Sequence, residues 1–298
     1  MCAKQTSSGK SPQEQKDIPE LLTKLSNAEV ESDARIIELA KNKGVALIAF
    51  IMPYVSVRVS PIQEVTASIS LPDEFGIETV INEIKKSKIK KAYLLVNSLG
   101  GGMASSYKIS RALRSCFEDI TVFIPHIAAS GGTLIALSGN KIVMGPMSHI
   151  SPLDVQINYK GTSISMATLQ RFFTRASVWF EKMTPDEAPY PQKALTDKLD
   201  PFIMEEWSGT MGMATSYVGE ILKMSGNKNY EDIARQLVTG FPSHSFVITP
   251  DEAKDTLGLN IEDSSEDPEV WQIMRYWLGK YLLEESTIHC IRYFIPGN

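Results

Sequence analysis

Between Gly44 and Met144 short apolar runs alternate with helical periods, and this rhythm constrains the fold more than any other feature. Val45–Val59 (VALIAFIMPYVSVRV) follows Gly44, is rich in β-branched residues, and holds Pro53 and Arg58. It reads as a buried strand. It is shorter than the ~20 residues a spanning helix requires, so no transmembrane segment is predicted. Over Phe75–Lys86, Ile77, Val80, Ile81 and Ile84 recur at helical spacing; Ala92–Val96 (AYLLV) is a short apolar strand. A helix over Ser105–Cys116, a strand at Thr121–Ile124, a helix from Gly131 to Leu137 and a strand at Ile142–Met144 follow. Strands and helices in this alternation imply crossover units, a largely parallel sheet and an α/β fold with peripheral helices.

The remaining segments divide the chain. Residues 1–33 read as a polar tail, since Met1–Pro19 is rich in Ser, Gln and Lys and lacks the apolar core of a signal peptide. Ala34–Lys43 is predicted as a short helix opening a domain over 34–265, and 266–298 is an aromatic-rich segment carrying Trp271, Tyr276, Trp277, Tyr281 and Phe294. These aromatics are expected to pack on the core or on a neighbouring subunit. Within the domain, Met166–Met183 has an apolar side at helical spacing, Leu195–Met224 is mostly helix, and Thr249 is an N-cap followed by Pro250. The length of 298 residues suits one large domain or two small ones. A net charge of −5 provides no basic field for nucleic acid. Cys2, Cys116 and Cys290 are too few and too scattered for a disulfide framework or a zinc site, which points to a reducing, cytoplasmic setting.

Two glycine-rich turns, Asn97–Gly102 (NSLGGG) and Ala128–Thr133 (AASGGT), each follow an apolar strand. Glycine lets backbone amides line a concavity, and in parallel sheets ligands sit at the carboxyl ends of strands. Both turns therefore fall on one edge of the sheet. The first lacks the Lys-Ser/Thr of a P-loop and the G-x-G-x-x-G register, which argues against a nucleotide. Ser130 lies between a strand and a helix N-terminus. Two readings stay open on spacing alone: a nucleophile with an oxyanion-binding amide on the next residue, or a serine that only caps the helix.

The residues from Gly44 to about Leu259 resemble the ClpP/crotonase superfamily, and more closely the serine dehydrogenase proteinase group of ClpP-like serine proteases. Asn97–Gly101 (NSLGG) is similar to the turns N-S-P-G-G and H-T-P-G-G, and Phe123–Leu137 (FIPHIAASGGTLIAL) to VPHxAxSGGTLIAL. Ile142–Gln156 (IVMGPMSHISPLDVQ) is similar to IVM…LGPVDPQ, and Pro242–Leu259, more weakly, to tHdypIt…EA…GL. The resemblance implies a ClpP/crotonase-like core of repeated ββα units, peptide hydrolysis, no metal or nucleotide cofactor, and a homo-oligomer. Carried over, it implies Ser130 as nucleophile, Asp154 and His244 completing a triad, and Gly100 or Gly101 with Gly131 as oxyanion-hole amides. Asp154 lies 24 residues after the serine, where Clp proteases keep their histidine, so a literal exchange would put a carboxylate beside Ser130. Asp154 could otherwise cap a turn after Pro152.

The rival base is a lysine, as in the signal peptide peptidase A group, with Lys182, Lys193 and Lys198 as candidates by position. His126 is expected to be a buried, hydrogen-bonded strand residue, His149 a surface residue, and His289 to stand apart. Leu99 replaces the motif's proline, a change expected to loosen the oxyanion turn. Two other functions remain: a crotonase-type acyl-CoA enzyme using the same glycine amides without Ser130, and a catalytically inactive scaffold.

Overall fold

Ala46–Ile51 shows how this sequence makes a sheet buried on both sides. All six residues are buried; Ala46, Ile48 and Phe50 join one apolar cluster and Leu47, Ala49 and Ile51 the other. A strand alternates its side chains between faces, so a continuous apolar run requires cover above and below. The computed structural model describes residues 28–52, 56–60, 63–66, 68–159, 162–181, 187, 201–282 and 290–297.

In chain order the elements are β1 (Ala28–Val30), α1 (Ala34–Lys43), β2 (Ala46–Ile51) and a hairpin of β3 (Ser56–Ser60) and β4 (Gln63–Thr66). Then come α2 (Leu71–Ile84), β5 (Lys91–Asn97), α3 (Met103–Cys116), β6 (Asp119–Ile124), β7 (Ile127–Ala128) and α4 (Gly131–Ala136). β8 (Lys141–Met144) and β9 (His149–Ile150) precede a second hairpin, β10 (Gln156–Tyr159) and β11 (Thr162–Ser165). The helices α5 (Met166–Phe180), α6 (Pro201–Met224) and α7 (Tyr230–Arg235) follow, then β12 (Ile261–Asp263), α8 (Pro268–Leu282) and β13 (Cys290–Phe294). Two π-helical turns, Gln236–Gly240 and Glu252–Thr256, lie between α7 and β12.

Among the described residues the central sheet has seven strands in the order β1-β13-β2-β5-β6-β8-β12. Only the β13–β2 pair is antiparallel; every other neighbouring pair is parallel. The fold is therefore mixed α/β on a mostly parallel sheet. On one face α2, α3, α4, α6 and α7 bury residues such as Ile77, Leu113, Leu134, Val218 and Ile233. On the other, α1 contributes Ile36 and Leu39, and α8 contributes Met274, Trp277 and Leu278. Among the described residues no helix is long and apolar enough to cross a membrane.

Several boundaries differ from the sequence expectations. The run Val45–Val59 divides, with residues 46–51 forming β2 and Ser56–Ser60 the first strand of a hairpin. Residues 53–55, Pro53 among them, lie outside the described residues. Ala28–Val30, expected in the polar tail, pair with β13 in the central sheet. Glu31, beside it, is buried. His126 is exposed rather than a buried strand residue, because β6 ends at Ile124 and Pro125–His126 form a bend. Thr249 caps its helix as expected: its N–H donates to Glu252 Oε2 and its Oγ1 accepts from Glu252 N–H. Residues 195–200, at the start of the expected helix Leu195–Met224, lie outside the described residues, as do Cys2, Lys182, Lys193, Lys198 and His289.

Candidate active site

The two glycine turns meet at the carboxyl end of the parallel strands. Beyond β5, Ser98 N–H donates to Ile127 O (3.0 Å) and Ala129 N–H to Ser98 O (2.8 Å), which laces the first turn to β7. The turns then touch backbone to backbone. A Cβ on Gly100 would lie 2.6 Å from Ser130 Cβ, and one on Gly131 would collide with Ser106 Oγ, so these close approaches require glycine. Leu99 is exposed. Ser98 Oγ accepts the Gly100 N–H (3.0 Å), and Ile69 pairs with Gly101 from the outside: Ile69 N–H donates to Gly100 O and Gly102 N–H to Ile69 O.

Ser130 is the only non-glycine residue at positive φ among the described residues, at φ 48° and ψ −120°. Such a conformation costs an L-residue on the order of 1–3 kcal/mol and persists only where the surroundings impose it. The residue occupies the N-cap position of α4, yet its side chain caps nothing, and its hydroxyl makes no hydrogen bond among the described residues. The capping role is thus vacant, and Ser130 is half-exposed on a sharp strand-to-helix turn.

Of the candidate amides, that of Gly100 is consumed by Ser98 Oγ. The N–H groups of Gly101 and Gly131 have no acceptor among the described residues, and a Cβ on Gly131 would lie 3.3 Å from the Gly101 nitrogen. Two neighbouring unengaged amides at a helix N-terminus form a place where negative charge is favoured.

Asp154 and His244, 90 residues apart, come together through register. Ile150 and Ile248 form an antiparallel bridge with both hydrogen bonds made, 3.0 and 3.1 Å. Four residues on from Ile150 stands Asp154, and four back from Ile248 stands His244, so this pairing sets them face to face. His244 Nδ1 hydrogen-bonds Asp154 Oδ1. The side chain of Asp154 is 4% exposed and that of His244 34%. Because a carboxylate only accepts, Nδ1 carries the proton of the neutral ring, and Nε2 is the nitrogen left to take one. The hydrogen bond to Asp154 raises the His244 pKa, with burial opposing it and the carboxylate's charge adding to it.

The same carboxylate receives Gln156 Nε2 on Oδ2 at 3.2 Å. Arg171 of α5 holds the loop before His244, donating to Phe241 O (3.0 Å) and Pro242 O (2.8 Å). Gln156 closes the stretch Ile142–Gln156 that is similar to IVM…LGPVDPQ, whereas nothing in the sequence marked Arg171. The structure thus brings Asp154 and His244 together and sets Gly101 and Gly131 beside Ser130. It makes no hydrogen bond from the Ser130 hydroxyl to His244. The rings of His126 and His149 lie 6.3 Å apart edge to face, with the His149 pKa lowered by burial and by His126.

A serine on a strained strand-to-helix turn, two amides beside it and a carboxylate-held histidine, on a mostly parallel sheet, define a ClpP-like α/β protein. The family of ClpP-like SDH-type serine proteinases matches over residues 26–175, half of the chain, and the chain belongs to that family. Two uncharacterized proteins of Methanocaldococcus jannaschii are similar to it: one is 28% identical over 67% of this chain and 63% of its own length, the other 30% over 56% and 51%. The chain thus spans between half and two-thirds of the length of these curated relatives. Among solved structures, two of the 1510-N membrane-bound stomatin-specific protease are similar, each with a TM-score of 0.45. A serine-to-alanine variant is 16% identical and covers 69% of this chain and 79% of its own. A lysine-to-alanine variant in complex with a substrate peptide is 18% identical and covers 69% and 75%.

Proposed function

We propose that this chain is a serine peptidase that cleaves polypeptides through an acyl-enzyme on Ser130. The observation that carries the reading is the Ser130 turn, a strained backbone presenting a hydroxyl that caps nothing beside two amides with no acceptor among the described residues. As Ser130 Oγ attacks the scissile carbonyl, His244 Nε2 takes the hydroxyl proton and Asp154 steadies the imidazolium through Nδ1. Charge gathers on the carbonyl oxygen, and the Gly101 and Gly131 amides receive it, while Gly100 shapes the turn. His244 returns the proton to the leaving amine as the C–N bond breaks; water then attacks the acyl carbon and gives a proton to His244, which passes it to Ser130 Oγ as the ester bond breaks and the acid leaves. The cycle requires no cofactor. Assembly into a homo-oligomer, implied by the resemblance, belongs to the same proposal.

An apolar cleft of about 250 Å3 between α5 and α6, lined by Met166, Phe173, Trp207 and Met211, suits a substrate side chain. Met166 N–H donates to Val155 O, directly after Asp154, which ties the cleft to the site. A larger cavity, about 590 Å3, lies on the far face between α1 and α8 and borders none of the candidate catalytic residues.

A fluorophosphonate probe tests the reading. The wild-type protein is expected to label at Ser130, with labelling and hydrolysis of a fluorogenic peptide library both lost in Ser130→Ala. A folded wild-type protein that neither labels nor cleaves, or turnover of an acyl-CoA thioester that survives Ser130→Ala, overturns it.

A further inference from the structure

The strained turn at Ser130 needs something to hold it, and two buried hydroxyls are in place to do so. Ser130 N–H donates to Ser151 Oγ at 2.8 Å. Ser151 N–H donates to Thr133 Oγ1 at 3.2 Å, and Thr133 Oγ1 lies 2.7 Å from Ala128 O and 2.9 Å from Ser151 O, two carbonyls that share its one proton. Ser151 Oγ in turn donates to Pro152 O at 3.3 Å. The ring closes around the nucleophile: Ala128 stands two residues before Ser130, Thr133 three after, and Ser151 comes from the separate stretch that leads to Asp154. Both side chains are buried, Thr133 at 0% and Ser151 at 5% exposure, so neither is a solvent-facing hydroxyl making casual contacts.

From this geometry we infer that Ser151, backed by Thr133, is a positioning residue that fixes the Ser130 turn in its reactive conformation and sets its distance from Asp154. The inference rests on the peptidase reading above. Ser151 touches no reacting atom. Its hydroxyl holds the backbone nitrogen of the nucleophile, and its main chain carries the carboxylate three residues on. In Ser151→Ala the Ser130 N–H loses its acceptor, and the turn is free to relax toward an ordinary negative-φ conformation. That movement would rotate the hydroxyl and swing the Gly131 amide away from the developing oxyanion.

The test compares wild type, Ser151→Ala and Ser151→Thr by peptide hydrolysis, fluorophosphonate labelling and pH profile. Ser151→Ala is expected to lose kcat and labelling rate together, by about 10- to 100-fold for a misplacement of this kind. KM stays within about twofold, because no substrate-binding contact is removed. The acid limb of the profile stays where it was, because Asp154 and His244 are undisturbed, and Ser151→Thr restores most of the rate by restoring the hydroxyl. A folded Ser151→Ala protein with wild-type labelling overturns the inference and leaves the peptidase reading standing. A loss accompanied by a shifted acid limb also overturns it, since the damage would then have passed through Asp154–His244. Should Ser151→Ala fail to fold, Thr133→Val, which keeps the side-chain shape, decides on the same readouts. A wild-type protein that does not label refutes the peptidase reading, and this inference with it.

Discussion

His244 meets Asp154 through Nδ1, and that contact makes it more basic than an ordinary histidine. A base must be unprotonated to take the Ser130 proton, so a raised pKa moves the rise of activity toward higher pH. The acid limb of kcat/KM is therefore expected to have its midpoint above the ordinary histidine value of 6.5. In Asp154→Asn the hydrogen bond no longer favours the charged ring, so any residual activity is expected to titrate at lower pH. Its kcat falls by roughly 10,000-fold, the scale seen when a triad carboxylate becomes an amide. A wild-type midpoint at or below the ordinary value, or an unchanged midpoint in Asp154→Asn, would remove His244 from the role of base. Ser130, Asp154 and His244 were legible as candidates from the similar stretches around them, close for Ser130 and Asp154 and weaker for His244. The supporting residues were not. Ser98, Ser151 and Arg171 are common polar side chains whose meaning lies in which backbone atom they reach, and only the fold determines that.

At the scale of elements, the helices and central strands between 71 and 144 follow their apolar periods closely, with α2, β5, α3, β6 and β8 found within a few residues of the sequence expectation. The strands that the sequence did not show have one cause. β1, β12 and β13 are short segments stabilised by distant partners rather than by local pattern, and no local pattern announces a pairing such as Ala28 with Ile291. Glu31 shows what this hides. Its side chain is fully buried and accepts hydrogen bonds from Trp277 Nε1 (2.7 Å), Tyr281 OH (2.8 Å) and Lys280 Nζ (3.3 Å), and from the backbone N–H groups of Ser32 and Asp33. Burial alone would raise its pKa, but these donors outweigh burial and hold it below its ordinary 4.5. A carboxyl with a depressed folded pKa contributes stability that is present above the ordinary value and fades as pH falls through the folded one. Glu31→Ala, which removes the acceptor of the buried Trp277 Nε1–H, is expected to cost on the order of 1–3 kcal/mol near pH 7. The gap from wild type, followed by denaturant unfolding, should narrow as the pH is lowered below 4.5. A pH-independent gap would mean that packing, not the carboxylate, joins the start of the described chain to α8.

At the scale of the molecule, the sequence suggested a core domain over 34–265 with an aromatic segment appended after it, yet the appended segment supplies structure that the core lacks. β13 sits inside the central sheet between β1 and β2, and α8 covers the sheet face opposite α2, α3 and α4 with Val270, Met274, Trp277, Leu278 and Tyr281. Deleting residues 266–298 would strip β1 of its partner and turn β2 into an edge strand of six apolar residues. It would also bare Ile36, Leu39, Leu47 and Ile51 to water. Each large side chain of α8 contributes about 1.5–3 kcal/mol by its burial. Five of them together match the whole stability of a typical domain, about 5–15 kcal/mol. The truncated chain is accordingly expected to lose cooperative thermal unfolding and to bind a hydrophobic dye, although every candidate catalytic residue is still present. Retention of a sharp transition near that of the full chain would show instead that residues 1–265 fold without this segment, with the sheet tolerating an open edge at β2.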